Sequence, residues 1–298
     1  MKIVISGSSG LIGKAVISAL TSQGDDVMRL TRPQSGSGEV QWDPARGEID
    51  RAALEGSDVV IHLAGESIAS GRWTKAKKER IYRSRVDGTR LLVQTLLQLE
   101  RPPKTLLCAS AIGFYGERGS EPMTEENGSG SFFISGLCRD WEEAARPALD
   151  AGIRVVNLRF GIVLSAADGA LAKMLLPFRL GLGGKIGSGG QYMSWVSIDD
   201  VVGVIQHAIK TETLSGPVNV VAPEPVTNED FTKTLGRVLG RPTFFPIPAF
   251  AARLAFGEMA DELLLASTRV EPLKLQKSGY PFRHPRLEGA LRALLGRE

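Results

Sequence analysis

Short runs of consecutive apolar residues recur along the chain, separated by longer stretches whose apolar positions repeat every three to four residues. A continuous apolar run suits a strand buried on both faces, and the 3.6-residue repeat suits a helix lying against a sheet. The runs predict strands over residues 2–6, 26–31, 58–64, 105–110, 153–160 and 217–221. The repeats predict helices near 11–23, 74–99, 133–149, 199–210 and 228–239, with a short one in IDRAALEG. Such alternation builds βαβ units, so the expected class is α/β with a doubly wound parallel sheet. The pattern breaks after residue 160. PFRLGLGGKIGSGG and the prolines beyond Pro223 read as loops of a smaller lobe over the sheet's carboxyl edge. We therefore expect a sheet domain in 1–160, completed by 194–222, and a lobe from 161–193 and 223–298.

Between the first strand and the first helix stands GSSGLIG, a G-x-x-G-x-x-G turn. Glycines there allow a tight turn and close backbone approach, and a pyrophosphate can sit where the helix N-terminus offers unpaired N–H groups. This predicts a bound dinucleotide on Gly7, Ser9, Gly10, Leu11, Ile12 and Gly13. The second strand ends in Thr31 and Arg32, a hydroxyl and a guanidinium where a carboxylate would favour a free ribose 2′-hydroxyl. NADP is expected over NAD. Leu63, Ala64 and Gly65 end the third strand with small residues that let the cofactor lie close.

Composition removes several alternatives. With 36 Lys plus Arg against 33 Asp plus Glu, the net charge of +3 is too small to argue for nucleic acid and leaves a small-molecule partner as the expectation. The basic run from Arg72 through Lys75, Lys77, Lys78, Arg80 and Arg83 to Arg85 is the one feature favouring nucleic acid, and it reads better as a solvated helix face. Cys108 and Cys138 share no metal or redox spacing, which fits a reducing cytoplasm and no metal site. No apolar run approaches the roughly 18 residues of a membrane span, and MKIVISGSSG lacks the marks of a signal peptide. A homodimer is compatible with all of this.

GSSGLIG, HLAG at 62–65, SAIGFYG at 110–116 and WVSIDDV at 195–201 occur in the order and spacing of the extended short-chain dehydrogenase/reductases, which the chain resembles. More narrowly, GESI with RW, PFRLGLGG with IGSGGQ, and GYPFRHPRLEGAL are similar to the atypical branch labelled sugar-nucleotide epimerase-like. The resemblance covers nearly the whole chain. It implies a Rossmann-like domain, NADP binding and oxidoreductase or epimerase chemistry on a hydroxylated, nucleotide-linked or other substrate. It also implies Glu66 and Arg72 near the cofactor and Ser110 beside substrate or nicotinamide. Arg179, Gln191 and Trp195 in the glycine-rich stretch read as substrate contacts, or as parts of a flexible lid.

One part of the family's chemistry is missing. Its tyrosine and lysine stand four residues apart on one helix face, the lysine lowering the phenol's pKa for proton exchange. Here FFISGLCRDWE offers Phe132, Phe133 or Ile134, followed four residues on by Gly136, Leu137 or Cys138. Either Tyr115 with Ser110 takes over the proton transfer, or the fold binds NADP without this turnover, as a sensor or regulatory protein. Glu142 and Glu143 are expected at solvent or paired with Arg139 and Arg146, Asp199 as a helix N-cap, Cys138 as a buried thiol, and His62, His207 and His284 as structural.

Overall fold

The computed structural model describes residues 1–31 and 40–297. The first unit is β1 (Lys2–Ser6), α1 (Leu11–Ser22) and β2 (Asp26–Thr31), followed by β3 (Val40–Asp43), β4 (Glu48–Ile49) and the single turn α2 (Arg51–Leu54). Then come β5 (Val59–His62), α3 (Lys75–Leu96), β6 (Thr105–Ala111), β7 (Pro122–Met123), α4 (Phe133–Asp150), β8 (Arg154–Phe160) and β9 (Ile162–Leu164). The remainder is α5 (Gly169–Arg179), β10 (Tyr192–Met193), β11 (Trp195–Ser197), α6 (Ile198–Lys210), β12 (Gly216–Val220), β13 (Val226–Thr227), α7 (Asn228–Leu239), α8 (Ala249–Phe256), β14 (Arg269–Val270), α9 (Leu273–Lys277) and α10 (Leu287–Leu294).

Eight strands form one sheet in the order β12-β8-β6-β5-β1-β2-β3-β4. Every neighbouring pair is parallel except β3 and β4. Side chains alternate between the faces. Ile3 and Ile5 pack with Val16 and Leu20 of α1 and Val204 and Ile205 of α6, whereas Val4, Val60 and Leu106 pack with Leu92 and Leu96 of α3 and Ala145 and Ala148 of α4. The Rossmann-like doubly wound sheet expected from the apolar runs is what forms. From β1 the order runs one way through β2 and the other way through β5, so a crevice opens at the carboxyl ends of β1 and β5, where ligands of such sheets bind.

Two elements depart from the expectation. The β3–β4 edge hairpin is too short for a period to show, and it is held by Trp42, 4% exposed, against Leu54. Helix α5 forms where no helix was expected, and its last three residues run into the glycine-rich stretch read as a loop. Asp168 accepts from the N–H of Gly169 at 2.6 Å, and Leu171, Leu175 and Phe178 place an apolar stripe against Phe231 and Leu235 of α7. The start of α6 is capped by Ser197, whose Oγ accepts from the N–H of Asp200 at 3.0 Å, and not by Asp199, which pairs with His284 at 3.2 Å. Asp200, 1% exposed, accepts from Tyr280 Oη at 3.1 Å and from the N–H groups of Arg283 and His284. That carboxylate pins the GYPFRHP tail to the sheet domain.

Candidate functional site

The glycine turn is built by contact with the neighbouring strand. Gly7 has φ +74°, and a β-carbon on it would come within 2.6 Å of the Leu63 carbonyl carbon; one on Gly13 would come within 2.3 Å of the Gly7 carbonyl oxygen. Both positions demand glycine. Gly10 caps α1 with no side-chain hydrogen bond, and the first turn holds no acidic residue. The helix therefore presents its N–H groups and positive dipole end to the crevice, which is the fit a dinucleotide's pyrophosphate requires.

Two cavities meet at Gly7. One, of about 1060 Å³, is lined by Ser8, Ser9, Lys14, Thr31, Trp42, Ala64, Gly65 and Ser84, with Arg29 two residues before Thr31 on β2. The other, of about 580 Å³, lies over the carboxyl ends of β1, β5 and β6 and is lined by Gly10, Leu11, Ile12, Gly13, Leu63 and Ser110 together with residues of α3, α4 and the C-terminal region. Expected cofactor contacts from Gly7 to Gly13, Thr31 and Leu63 to Gly65 thus fall on the walls of one two-part cleft. Arg32 lies outside the described residues. Arg29, Lys14 and Trp42 line the cleft without having been expected, because β2 reads as a buried strand, Lys14 as one polar position of α1, and the edge hairpin leaves no periodic signal.

Of the three pairs that α4 offers in place of the absent one, one has both members on the wall of the deeper cavity. Ile134 and Cys138, four residues apart on α4, both line it, beside Leu137 and Trp141. Burial pushes the Cys138 thiol up to about 12, with Glu142 adding to the rise, so it is an uncharged thiol at neutral pH. Phe132 gives α4 no side-chain cap; Glu262 does so from the tail, its carboxylate accepting from the N–H groups of Phe133 at 3.0 Å and Ile134 at 2.9 Å. Burial raises the Glu262 pKa, and these two N–H bonds oppose the rise.

Ser110 opens a buried polar chain. Its Oγ donates to Glu142 at 2.6 Å, Glu142 takes two bonds from Arg159 at 2.8 Å each, Arg159 donates to the Tyr115 hydroxyl at 2.9 Å, and that hydroxyl donates to Asn219 at 2.7 Å. The Arg159 guanidinium also lies 3.5 Å from the Phe114 ring centroid. Burial would lower the Arg159 pKa, but Glu142 outweighs it and the net direction is upward. Glu142 is therefore not at solvent, as its helical neighbours suggested; Glu143 does pair with Arg146 at 3.4 Å.

Tyr115 is fully buried beneath this chain, and burial raises its pKa despite Arg159. The structure does not bring it to the cavity, so it cannot exchange a proton there; the single turn Ile112–Phe114 after β6 carries it inward. Trp195 is likewise fully buried, its Nε1 donating to the Glu224 carbonyl, and Gln191 braces the carbonyls of Ile186 and Leu264. Arg179 is exposed at the end of α5 and lines neither cavity. Arg72 reaches the carbonyls of Leu254 and Ala255, and Glu66 is held by Lys77 at 2.7 Å; neither lines either cavity. Lys78 pairs with Glu258, so Arg72 and Lys78 of the basic run hold the tail, while Lys77 and Arg80 pair with Glu66 and Arg83 with Glu79. His62 is fully buried, its Nδ1 2.6 Å from Ser6 Oγ, and burial lowers its pKa to about 4. Among the described residues no cluster of His, Cys, Asp and Glu could hold a metal, and no helix is long and apolar enough to cross a membrane.

A parallel sheet with a glycine turn and a two-part cleft at its switch point defines a dinucleotide-binding protein of the Rossmann class. Residues 3–221 match the NAD dependent epimerase/dehydratase family, and the chain belongs to it; residues 247–294 match a C-terminal domain of unknown function, DUF1731. Within that family it is similar to Mycobacterium tuberculosis epimerase family protein MT2273, at 43% identity over 97% of this chain and 96% of that protein. A crystal structure of human epimerase family protein SDR39U1 with NADPH superimposes with a TM-score of 0.91 at 34% identity, covering 100% of both chains. A nucleoside-diphosphate sugar epimerase from Corynebacterium glutamicum gives 0.82 at 37% identity, over 99% of this chain and 58% of that one.

Proposed function

We propose that this chain binds NADP(H) in the cleft and acts as an oxidoreductase or epimerase on a hydroxylated substrate held in the deeper cavity. The observation that carries the reading is the passage at Gly7, where both cavities open onto the uncapped N-terminus of α1. Residues Gly7 to Gly13 would hold the pyrophosphate, Thr31 with Arg32 the adenosine ribose and its phosphate, and Leu63 to Gly65 the cofactor's flank. The human relative's bound NADPH supports the choice of dinucleotide. The sheet domain, completed by 194–222, would bind the cofactor, and the remainder would cover the substrate.

When bound, NADP(H) supplies a hydride donor or acceptor. Ser110 is the residue we assign to the substrate oxygen. Its own proton is committed to Glu142 at 2.6 Å, so toward the cavity its oxygen accepts, and a substrate hydroxyl would donate to it. Glu142 stands behind as the next acceptor. A second reading, NADP(H) binding without turnover, is favoured by Ile134 and Cys138 at the positions of the family's proton-exchanging pair.

Fluorescence titration with NADPH and NADH tests the cofactor assignment; we expect at least tenfold tighter NADPH, and equal or absent binding of both sinks it. Loss of NADPH absorbance with a carbonyl panel, or its appearance from NADP with an alcohol and sugar-nucleotide panel, then separates turnover from binding alone.

A further inference from the structure

We infer that Arg85 anchors the phosphate–ribose segment on the nicotinamide side of NADP(H), supplying from α3 the cation that α4 lacks. The inference rests on the cofactor reading above. Four observations carry it. Arg85 lines the deeper cavity, while its neighbours Ser84 and Gly65 line the adenosine-side cavity, so its guanidinium stands where a dinucleotide must cross from one to the other. That crossing segment is a pyrophosphate followed by a ribose diol, the most anionic and hydroxyl-rich part of the ligand.

The guanidinium is held in place by the protein at one corner. Nη1 donates to the Glu66 carbonyl at 2.9 Å and the Ile81 carbonyl at 3.3 Å, and the group lies 5.1 Å from the Trp141 ring centroid. Nε and Nη2 make no hydrogen bond to the described residues. Three N–H donors of a pre-oriented fork are thus left for a ligand, and a guanidinium fork matches phosphate oxygens or a vicinal diol.

Room for it is made by a glycine. A β-carbon on Gly65 would sit 3.1 Å from the guanidinium carbon and 3.2 Å from Nη2, so a side chain there would push the group off its position. Across the cavity Arg85 faces α4, and its charge acts on Cys138, one of the positions that can stand for the absent lysine. The cation is therefore delivered to the same region from the opposite helix, and no carboxylate lies within ion-pairing distance of it among the described residues. Burial of the guanidinium outweighs the attraction of the more distant Glu66, and a ligand anion beside it would offset that burial.

The test compares wild type, Arg85→Met and Arg85→Lys by calorimetric titration with NADPH, 2′-phospho-ADP-ribose and 2′,5′-ADP. Methionine keeps the apolar stem; lysine keeps stem and charge but loses the fork. We expect Arg85→Met to weaken NADPH and 2′-phospho-ADP-ribose at least tenfold, Arg85→Lys at least threefold, and 2′,5′-ADP to stay within twofold in both. An unchanged ratio of NADPH to 2′,5′-ADP affinity, in whichever variant folds, overturns the inference, whether all three ligands weaken together or none does. Failure of the wild type to bind any of them would instead overturn the cofactor reading.

Discussion

Replacing Glu142 with alanine should destabilise the protein by about 4 kcal/mol, near the middle of the range for stripping one partner from a buried ion pair. Arg159 is 3% exposed, so its charge is largely shielded from water. Two of its nitrogens donate to Glu142 at 2.8 Å each, and Ser110 donates to the same carboxylate at 2.6 Å. Alanine leaves all three donors facing a void. Each neutral donor left unsatisfied costs about 1–3 kcal/mol and the charge costs more, while relaxation and entering water return part of this. A chain of 298 residues unfolds with an entropy of roughly 0.6 kcal/mol/K near its midpoint, so this loss corresponds to a Tm lower by about 6 °C. Calorimetry and urea unfolding of Glu142→Ala measure it, and Glu142→Gln, which keeps one acceptor oxygen, should fall about halfway. The double variant Glu142→Leu with Arg159→Met removes charge and counter-charge together and should recover much of the loss. A Glu142→Ala protein within about 0.5 kcal/mol of wild type would refute the reasoning, because the pair would then be solvated or not formed.

Gly7→Ala should abolish measurable NADPH binding, since the new β-carbon meets the Leu63 carbonyl at 2.6 Å, whereas Gly24→Ala, at φ +84° with nothing within 4 Å, should cost stability and keep affinity; equal affinities in the two variants would count against the turn's role. Cys108 and Cys138, both raised to about 12 by burial, should resist thiol reagents at pH 7.5, where roughly three molecules in 10⁵ carry the thiolate, and both should titrate on unfolding; fast labelling of the native protein would contradict this. His62, lowered to about 4 by burial, binds its proton more readily when unfolded, so its contribution is intact above about 6.5 and is lost as pH falls toward 4. The full loss is about 3 kcal/mol, and a His62→Asn variant whose stability falls just as steeply over that window would show that another group is responsible.

The parallel sheet was legible because each strand is a continuous apolar run and each covering helix carries a stripe, both local properties of the chain. The glycine turn was legible for the same reason: GSSGLIG sits between a strand and a helix within thirteen residues. Side-chain direction after a strand ends was not. Nothing in SAIGFYG says that a single turn at Ile112–Phe114 will send Tyr115 into the core instead of over the sheet's edge. Partners distant in sequence were equally hidden: helical spacing paired Glu142 with Arg139 or Arg146, while its partner Arg159 comes from β8, and the cap of α4 comes from Glu262 in the tail. Arg85 was read as part of a solvated basic face, since a repeat of charged residues cannot show which one turns toward a cavity.

The direction of any chemistry at this site follows from the same buried chain. A group that reduces a carbonyl must give up a proton, and one that oxidises an alcohol must take one. Ser110 donates its hydrogen bond to Glu142 at 2.6 Å, and Glu142 takes two further bonds from Arg159 at 2.8 Å each. Ser110 therefore faces the cavity as an acceptor. Cys138, with its pKa near 12, is a poor acid, and Ile134 has no exchangeable proton, so α4 offers no donor at the positions where the family places one. On the proposed reading the site offers a substrate hydroxyl an acceptor at Ser110 and offers a carbonyl no donor from α4, so a reductive reaction would have to draw its proton from water admitted to the cavity. If Arg85 holds the cofactor's nicotinamide side, cofactor binding no longer depends on the residue type that the family uses for proton exchange. Loss of that exchange pair and retention of a complete cofactor cleft are then physically independent, which is why tight NADPH binding in this chain would not by itself imply turnover.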